Sequence, residues 1–409
     1  MYVKTTKHNC YSYLRQTGEI VPGVVEVDNY VWKFAPNTPF SVMPELDMFI
    51  LGITEQCNLR CTYCCYSGEY ANNRSHSTKS MSCADIDDIF KFIGGLYSKH
   101  PFRIAFYGGE PLTHYSLVQY AIEKANILWN DEVTFSITTN GTLLAKDKVD
   151  WLIAHQVKLE ISIDGTAPYH DKCRIDSAGN GSYSRMYQAL SYITNEYPEY
   201  IPNLQLLMTL PTIDVLSSIA EEWNNDAILK YIAPTHITAL APNFTKGVIR
   251  KEYDKLKAQY LKLLDLYEQH QDWLVLKSFF SECIAYWKDR PIVDAGDSVP
   301  MSTCMPRNNK LFIDTNRLVA VCEKISDNFR IGSVDDGINW NEANEHVQMY
   351  YNKRVHRCAH CPAIRMCDLC LTAIEFNDEQ WDVLCHNERI YARLYMLLFC
   401  EMAERGLIT

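Results

Sequence analysis

Short apolar runs punctuate the chain from Asp47 onward, at Met48–Ile53, Arg103–Tyr107, Val133–Thr138, Val157–Ile163, Leu204–Leu210 and His236–Leu240. Runs of this length predict strands. Between them apolar positions recur with helical spacing. In Ser82-Cys-Ala-Asp-Ile-Asp-Asp-Ile-Phe-Lys-Phe-Ile93, one face carries Ile86, Ile89, Phe90 and Ile93, and Ser82 with Asp85 three residues on reads as an N-terminal cap. Lys146–Gln156 and Arg185–Thr194 have the same period. Six strand–helix units in series predict an α/β fold, a parallel sheet with right-handed crossovers, either a barrel or an open sheet. In both forms ligands collect at the carboxyl ends of the strands. Ahead of this series, Val24–Phe34 alternates apolar and polar residues around Asp28-Asn29, which predicts a β-hairpin, and Pro36, Pro39 and Pro44 mark a connector. After it, Lys251–Lys288 is long, charged and helical in pattern, and the remainder is cysteine-rich with little regular period. The expected divisions are residues 1–46 as an N-terminal extension, 47–250 as the core, 251–299 as a helical bridge and 300–409 as a cysteine-rich domain.

Composition narrows the function. The 409 residues are 47% hydrophobic and 22% charged, an ordinary globular balance. The formal net charge of −11 argues against non-specific binding to nucleic acid or to an anionic membrane. No apolar run reaches the ~18 residues of a membrane span, and Met1-Tyr-Val-Lys-Thr-Thr-Lys7 lacks the apolar core of a signal peptide. These readings point to the cytoplasm. There the 16 cysteines would not persist as disulfides, so clustered ones read as metal ligands. Ten fall into two patterned groups. Cys10, Cys65, Cys83, Cys173, Cys283 and Cys400 are scattered and read as small buried hydrophobes.

The first group is Cys57-Asn-Leu-Arg-Cys61-Thr-Tyr-Cys64, directly after the first strand. Three thiolates leave one iron of a cubane without a protein ligand, and an open iron can bind a small molecule. A zinc site completed by a distant fourth residue is the other reading. After the second strand comes Tyr107-Gly108-Gly109-Glu110-Pro111, after the third Ser136-Ile-Thr138-Thr139-Asn140-Gly141, and after the fourth Ser162-Ile-Asp164-Gly165 with Arg174 downstream. In this order at successive strand ends, these motifs resemble the radical S-adenosylmethionine (SAM) superfamily.

The resemblance implies a partial (β/α)6 TIM-type barrel and a [4Fe–4S] cluster on Cys57, Cys61 and Cys64. It also implies the SAM-binding residues. Tyr63 would lie beside the adenine. Gly108, Gly109 and Glu110 would receive the methionyl amino group. Ser136, Thr138, Asn140 and Asp164 would border the cofactor, with Ser162 at the ribose and Arg174 at the carboxylate. Glycine admits close backbone approach and a carboxylate pairs with an ammonium, so the motif is chemically sensible. The implied reaction is one-electron cleavage of SAM to methionine and a 5′-deoxyadenosyl radical, which takes hydrogen from an unactivated carbon while the protein positions the groups and excludes water.

The second group is Cys304, Cys322, Cys358-Ala-His-Cys361, Cys367-Asp-Leu-Cys370 and Cys385. These seven resemble the SPASM domain, an extension of radical enzymes that act on peptides and proteins. By position the resemblance assigns Cys358, Cys361, Cys367 and Cys385 to one auxiliary [4Fe–4S] cluster, and Cys304, Cys322 and Cys370 to another, three clusters in all. Cys283 is a candidate fourth ligand for the incomplete one, with core packing as its other reading. Two departures stand out: the family commonly has C-x3-C where this chain has Cys367-x2-Cys370, and a glycine where it has Arg317. Structural zinc is the alternative for the whole set. His360 reads as a neighbour of the ligands rather than as a ligand.

A radical SAM core with a SPASM-like extension resembles peptide maturases that install thioether or carbon–carbon crosslinks in ribosomally made peptides, and also anaerobic sulfatase-maturing enzymes that form formylglycine. The expected partners are a precursor peptide and an electron donor such as flavodoxin or ferredoxin. The 56 residues ahead of the first motif cysteine favour the peptide maturases, many of which capture a leader peptide by strand addition. The expected Val24–Phe34 hairpin would offer such an edge, or would cap the barrel. A non-catalytic iron–sulfur scaffold or sensor is the reading outside enzymes. No substrate base stands out in the sequence.

Overall fold

A computed structural model of the chain describes every residue except 26–29, 35–36, 42–44, 71–72, 97–99, 240–248, 291–303, 307–308 and 409. Three short strands open it: β1 (Tyr2–Lys4), β2 (Cys10–Tyr13) and β3 (Ile20–Pro22) pair antiparallel in the order β1-β2-β3. The expected hairpin over Val24–Phe34 is different. Its turn, 26–29, lies outside the described residues, and Val24, Val25 and Tyr30–Phe34 carry no strand. Instead the Trp32 N–H donates to the Ala359 carbonyl at 2.9 Å, and Trp32 packs with Cys358 and Ile364. An aromatic residue gains more by filling that gap than by lying on an exposed ribbon.

The six expected strands form within a few residues of their predicted bounds: β4 (Met48–Thr54), β5 (Phe102–Gly108), β6 (Val133–Thr139), β7 (Val157–Ser162), β8 (Gln205–Leu210) and β9 (Pro234–Ala239). Neighbours pair in parallel in that order. Period-two patterning positions the strands. In β7, Val157, Leu159 and Ile161 are fully buried under the helices, each worth about 1.5–3 kcal/mol. Lys158, Glu160 and Ser162 alternate with them on the other, half-buried face. The crossovers carry α1 (Cys83–Gly94), α2 (Tyr115–Trp129), α3 (Lys146–Ala154), α4 (Ala167–Cys173), α5 (Tyr183–Glu196) and α6 (Leu216–Asn225). In α1 the Ser82–Asp85 capping box forms, and Ile86, Ile89, Phe90 and Ile93 are the buried face.

The predicted bridge is two helices, α7 (Tyr253–Gln269) and α8 (Leu274–Lys288), with a break at which His270 stacks on Trp273 at 4.1 Å. After them come β10 (Lys310–Ile313), β11 (Leu318–Ala320), β12 (Arg330–Ser333) and β13 (Gly337–Ile338). Among the described residues ten strands form one sheet, ordered β13-β12-β11-β10-β4-β5-β6-β7-β8-β9. β10 runs parallel to β4, with Lys310 opposite Met48 and Ile313 opposite Leu51. It thus occupies the edge of β4 that a closed barrel would give to its last strand, so the barrel stays partial.

The turn into β11 explains one departure from the family pattern. Arg317 has φ +61°, a left-handed conformation that favours glycine. Its guanidinium reaches Asp335 at 2.8 Å and Asp88 at 3.2 Å, which offsets part of the strain. The cysteine-rich remainder, expected to be irregular, holds two long helices, α9 (Trp340–Cys358) and α10 (Asp378–Glu404). α10 is buried on several sides by Trp381, Leu384, Ile390, Leu394, Leu397 and Met402, so it shows no single apolar stripe. The N-terminal sheet rests on this region. Thr6 Oγ1 donates to Glu401 at 2.8 Å, Asn9 Nδ2 to Glu404 at 3.0 Å, and Val3 and Tyr13 pack with Trp287, Met396 and Leu397. No helix among the described residues is long and apolar enough to cross a membrane.

Candidate active site

The carboxyl ends of β4 through β9 surround a cavity of about 430 Å³. Cys57, Cys61, Tyr63 and Cys64 line one side, and Gly108, Gly109, Glu110, Thr138, Asn140, Ser162 and Arg174 continue the wall. Of the residues the sequence singled out here, Ser136 and Asp164 alone stand behind it, 1% and 2% exposed. Ser136 lies too deep on β6, and Asp164 turns away to hold Arg174.

The cysteine loop is fastened at both ends. Arg60 N–H donates to Ile175 O at 2.6 Å and Thr62 N–H to Cys173 O at 2.9 Å, which sets Arg174 beside the loop. Asn140 Nδ2 donates to Asn58 Oδ1 at 2.9 Å, and Asn58 Nδ2 donates to Thr142 Oγ1 at 2.8 Å, tying the loop to the end of β6. Backbone N–H groups face the sulfurs: Leu59 N lies 3.4 Å from Cys57 Sγ, and Tyr66 N 3.4 Å from Cys64 Sγ. Burial pushes the Cys57 thiol up to about 12 and Cys61 up to about 11. Cys64 is lowered by the hydrogen bond it shares with Cys65, and His76 Nε2 stands 3.5 Å from its sulfur.

The glycines of this wall also admit a close approach of the protein's own backbone. A Cβ on Gly108 would lie 2.2 Å from Thr54 O, and one on Gly109 2.2 Å from Gln56 O. Gly109 N–H donates to Thr54 O and Glu110 N–H to Gln56 O, both at 2.7 Å. The two glycines let β5 close against the end of β4. Glu110, 1% exposed, accepts from Leu112 N at 3.1 Å, Thr139 Oγ1 at 2.7 Å and Asn140 N at 2.8 Å. Burial raises its pKa in spite of these donors. The carboxylate therefore also braces β5 against β6.

Arg174 pairs with Asp164, Nε to Oδ2 at 2.8 Å and Nη2 to Oδ1 at 3.1 Å. The Tyr63 hydroxyl donates to Asp164 Oδ2, and Thr209 N–H to Oδ1 at 3.0 Å. The guanidinium lies 5.5 Å from the Tyr63 ring centre. Behind this group His170 accepts from Asp164 N–H at 3.3 Å and lies 3.0 Å from Ser182 Oγ. Burial, with Arg174 next, lowers its pKa to about 4. The sequence reading missed His170, and also His76, His236 and Lys324 in the cavity wall. His236 was within reach, since it stands on the sixth predicted strand. Lys324 comes from the far C-terminal region, and no local pattern points to it.

Six of the seven patterned C-terminal cysteines gather in two places. Cys358 ends α9, Cys361 N–H donates to Cys358 O at 2.9 Å, and Cys361, Cys367 and Cys385 each interact with Cys358. Cys304 and Cys322 share a hydrogen bond beside Glu323. Cys370 accepts from Thr372 Oγ1 at 3.3 Å. Cys283 is 3% exposed on α8 and stands among Glu282, Tyr260 and Tyr395, which suits core packing. Among the described residues no three His, Cys, Asp or Glu side chains converge to hold a single metal ion. A cubane makes no such demand, since its thiolates bind separate irons. Buried thiols facing backbone N–H groups fit such ligands.

Residues 51–214 match the Radical SAM superfamily. The chain is 30% identical over 162 residues to a cysteine-type anaerobic sulfatase-maturating enzyme of Clostridium novyi (strain NT), covering 39% of this chain and 43% of that protein. The match thus spans less than half the length of that relative. It is 22% identical over 370 residues, 87% of this chain and 73% of the relative, to the radical SAM cyclopropyl synthase TigE of Paramaledivibacter caminithermalis (strain DSM 15212 / CIP 107654 / DViRD3). In fold it is similar to native anSMEcpe with bound AdoMet, with TM-score 0.62, 19% identity, and 89% of this chain and 100% of that one covered. The cysteine loop and the strand-end motifs from Cys57 to Arg174 all lie within residues 51–214, the part of the chain that matches the Radical SAM superfamily.

Proposed function

We propose that the protein is a radical SAM maturase that acts on a polypeptide, abstracting hydrogen from a side chain or α carbon and installing a thioether or carbon–carbon crosslink in a ribosomally made peptide. The observation that carries the reading is the shared cavity at the strand ends, which Cys57, Cys61, Cys64, Gly108–Glu110, Ser162 and Arg174 line together. In this reading Cys57, Cys61 and Cys64 hold the [4Fe–4S] cluster. Tyr63, Gly108, Gly109, Glu110, Thr138, Asn140 and Ser162 border SAM, with Arg174 at its carboxylate. Bound there, cluster and SAM supply a 5′-deoxyadenosyl radical after one electron arrives from a donor such as flavodoxin or ferredoxin. The chain's own part is positioning. Asp164 fixes Arg174 and Tyr63, and Glu110 locks β5 to β6, so the walls stay in place while a bond is broken between them. Cys358, Cys361, Cys367 and Cys385 would hold one auxiliary cluster, and Cys304, Cys322 and Cys370 another. One likeness supports a polypeptide substrate: anSMEcpe binds Cp18Cys peptide in a fold similar to this one. Formylglycine formation is the second reading, favoured by the similarity to the sulfatase-maturating enzyme.

Anaerobically reconstituted protein should carry about twelve irons and, once reduced, should form 5′-deoxyadenosine from SAM. Cys57→Ala should abolish that product. Iron-replete protein that forms none would sink the reading. With a candidate peptide, crosslinking and conversion of serine to formylglycine both remove about 2 Da, and fragmentation separates them because only a crosslink joins two residues, whereas conversion of cysteine to formylglycine removes about 18 Da.

A further inference from the structure

The C-terminal cysteine layer contains a buried cation. Arg354 on α9 is 1% exposed. Its Nη1 donates to the Tyr350 hydroxyl at 3.3 Å, and that hydroxyl donates to the Leu369 carbonyl inside the Cys367–Cys370 turn. Nε and Nη2 are buried and have no hydrogen-bond partner of ordinary geometry among the described residues. The groups that bear on the guanidinium are the Tyr350 phenol, the thiols of Cys367 and Cys358, and the Glu388 carboxyl. Among the described residues no carboxylate forms an ion pair with Arg354, and the nearby Glu388 and Asp368 hydrogen-bond each other instead. A guanidinium cannot shed its proton, so burial without a counter-charge is costly. Thiols do not supply that charge, whereas thiolates on an iron–sulfur cluster do.

We infer that Arg354 is the counter-charge of the cluster held by Cys358, Cys361, Cys367 and Cys385, and that it raises the reduction potential of that cluster. The inference rests on the cluster assignment proposed above. A four-thiolate cubane is a net anion that gains one more negative charge on reduction, so an adjacent fixed cation stabilises the reduced form more than the oxidised one. Tyr350 gives the arrangement its geometry, holding both the guanidinium and the turn between Cys367 and Cys370.

The test is a redox titration of full-length protein reconstituted anaerobically with iron and sulfide, followed by electron paramagnetic resonance. The relevant signal is the one lost in Cys385→Ala. Arg354→Met should lower the reduced-to-oxidised ratio of that signal at least tenfold at a fixed potential, about 59 mV for a one-electron couple. Arg354→Lys should restore most of it. Loss of about four irons in Arg354→Met, with recovery in Arg354→Lys, would support the same charge pairing. Full iron with an unmoved potential in Arg354→Met overturns the inference, as does iron loss that lysine fails to restore. If Cys385→Ala loses neither iron nor signal, the cluster assignment itself fails and the inference falls with it.

Discussion

The loop bearing Cys57, Cys61 and Cys64 and the layer bearing Cys358, Cys361, Cys367 and Cys385 both gather thiols, on scaffolds of opposite kind. The loop spans eight residues and is clamped by neighbours at the strand ends: Asn140, Thr142 and the 173–175 segment. The layer is assembled from the end of α9, the turn that follows it and the body of α10, with the N-terminal sheet against its back. A local loop can be read as a motif because its spacing is its geometry. An assembled layer cannot, because its geometry depends on how distant helices pack.

Three changes would break or sharpen this contrast. The largest effect belongs to Asp164, which ties the barrel mouth together. Asp164→Ala would strand the buried Arg174 guanidinium, the Tyr63 hydroxyl and the Thr209 N–H, so unfolding free energy should fall by about 3–5 kcal/mol. Denaturant titration measures it, and a loss under about 1 kcal/mol would show that the clamp is dispensable. His170 comes next. Its pKa is about 4 in the folded chain against an ordinary 6.5. The unfolded chain takes up a proton as pH drops below 6.5 and the folded chain does not until about 4, so stability is intact above that window and declines through it, by about 3 kcal/mol. His170→Gln should flatten the decline between about pH 7 and 4.5, and an unchanged profile would assign the acid sensitivity to other groups. The smallest effect lies at the other region. Glu401→Ala removes the acceptor for Thr6 and the partner of Arg405, worth about 2 kcal/mol. It should speed proteolysis within residues 1–25 and leave 5′-deoxyadenosine formation unchanged. Equal loss of both would mean that the two scaffolds are not separable.

The core was legible for a physical reason. Its strands are short, largely buried apolar runs and its helices carry one apolar stripe, as in α1 with Ile86, Ile89, Phe90 and Ile93, so sequence pattern and structure coincide. The site motifs fell where strand ends place them. Legibility failed where partners are remote. β1 to β3 are three or four residues long and owe their stability to α10 near the other end of the chain. α10 is apolar on several sides, which hides its period. Lys324 reaches the cavity only because β10 and β11 extend the sheet on the β4 side. Arg317 shows the converse: a residue that breaks a pattern can keep the backbone conformation the pattern encodes.

The pairing of β10 with β4 has a consequence for synthesis. Asp47 and Asn309, which hydrogen-bond at the start of that pairing, are 262 residues apart. On the ribosome β4 emerges early with Phe49, Leu51 and Ile53 exposed, and one edge has no mate until most of the chain has been made. An unmatched edge of this kind is a template for aggregation. Completion of the sheet therefore comes late in synthesis and is slow, as pairings across long stretches of sequence are. A fragment ending before residue 310 lacks the strand that covers this edge. The C-terminal region thus serves, besides any chemistry, as the keystone without which the first strand of the barrel is never safely folded.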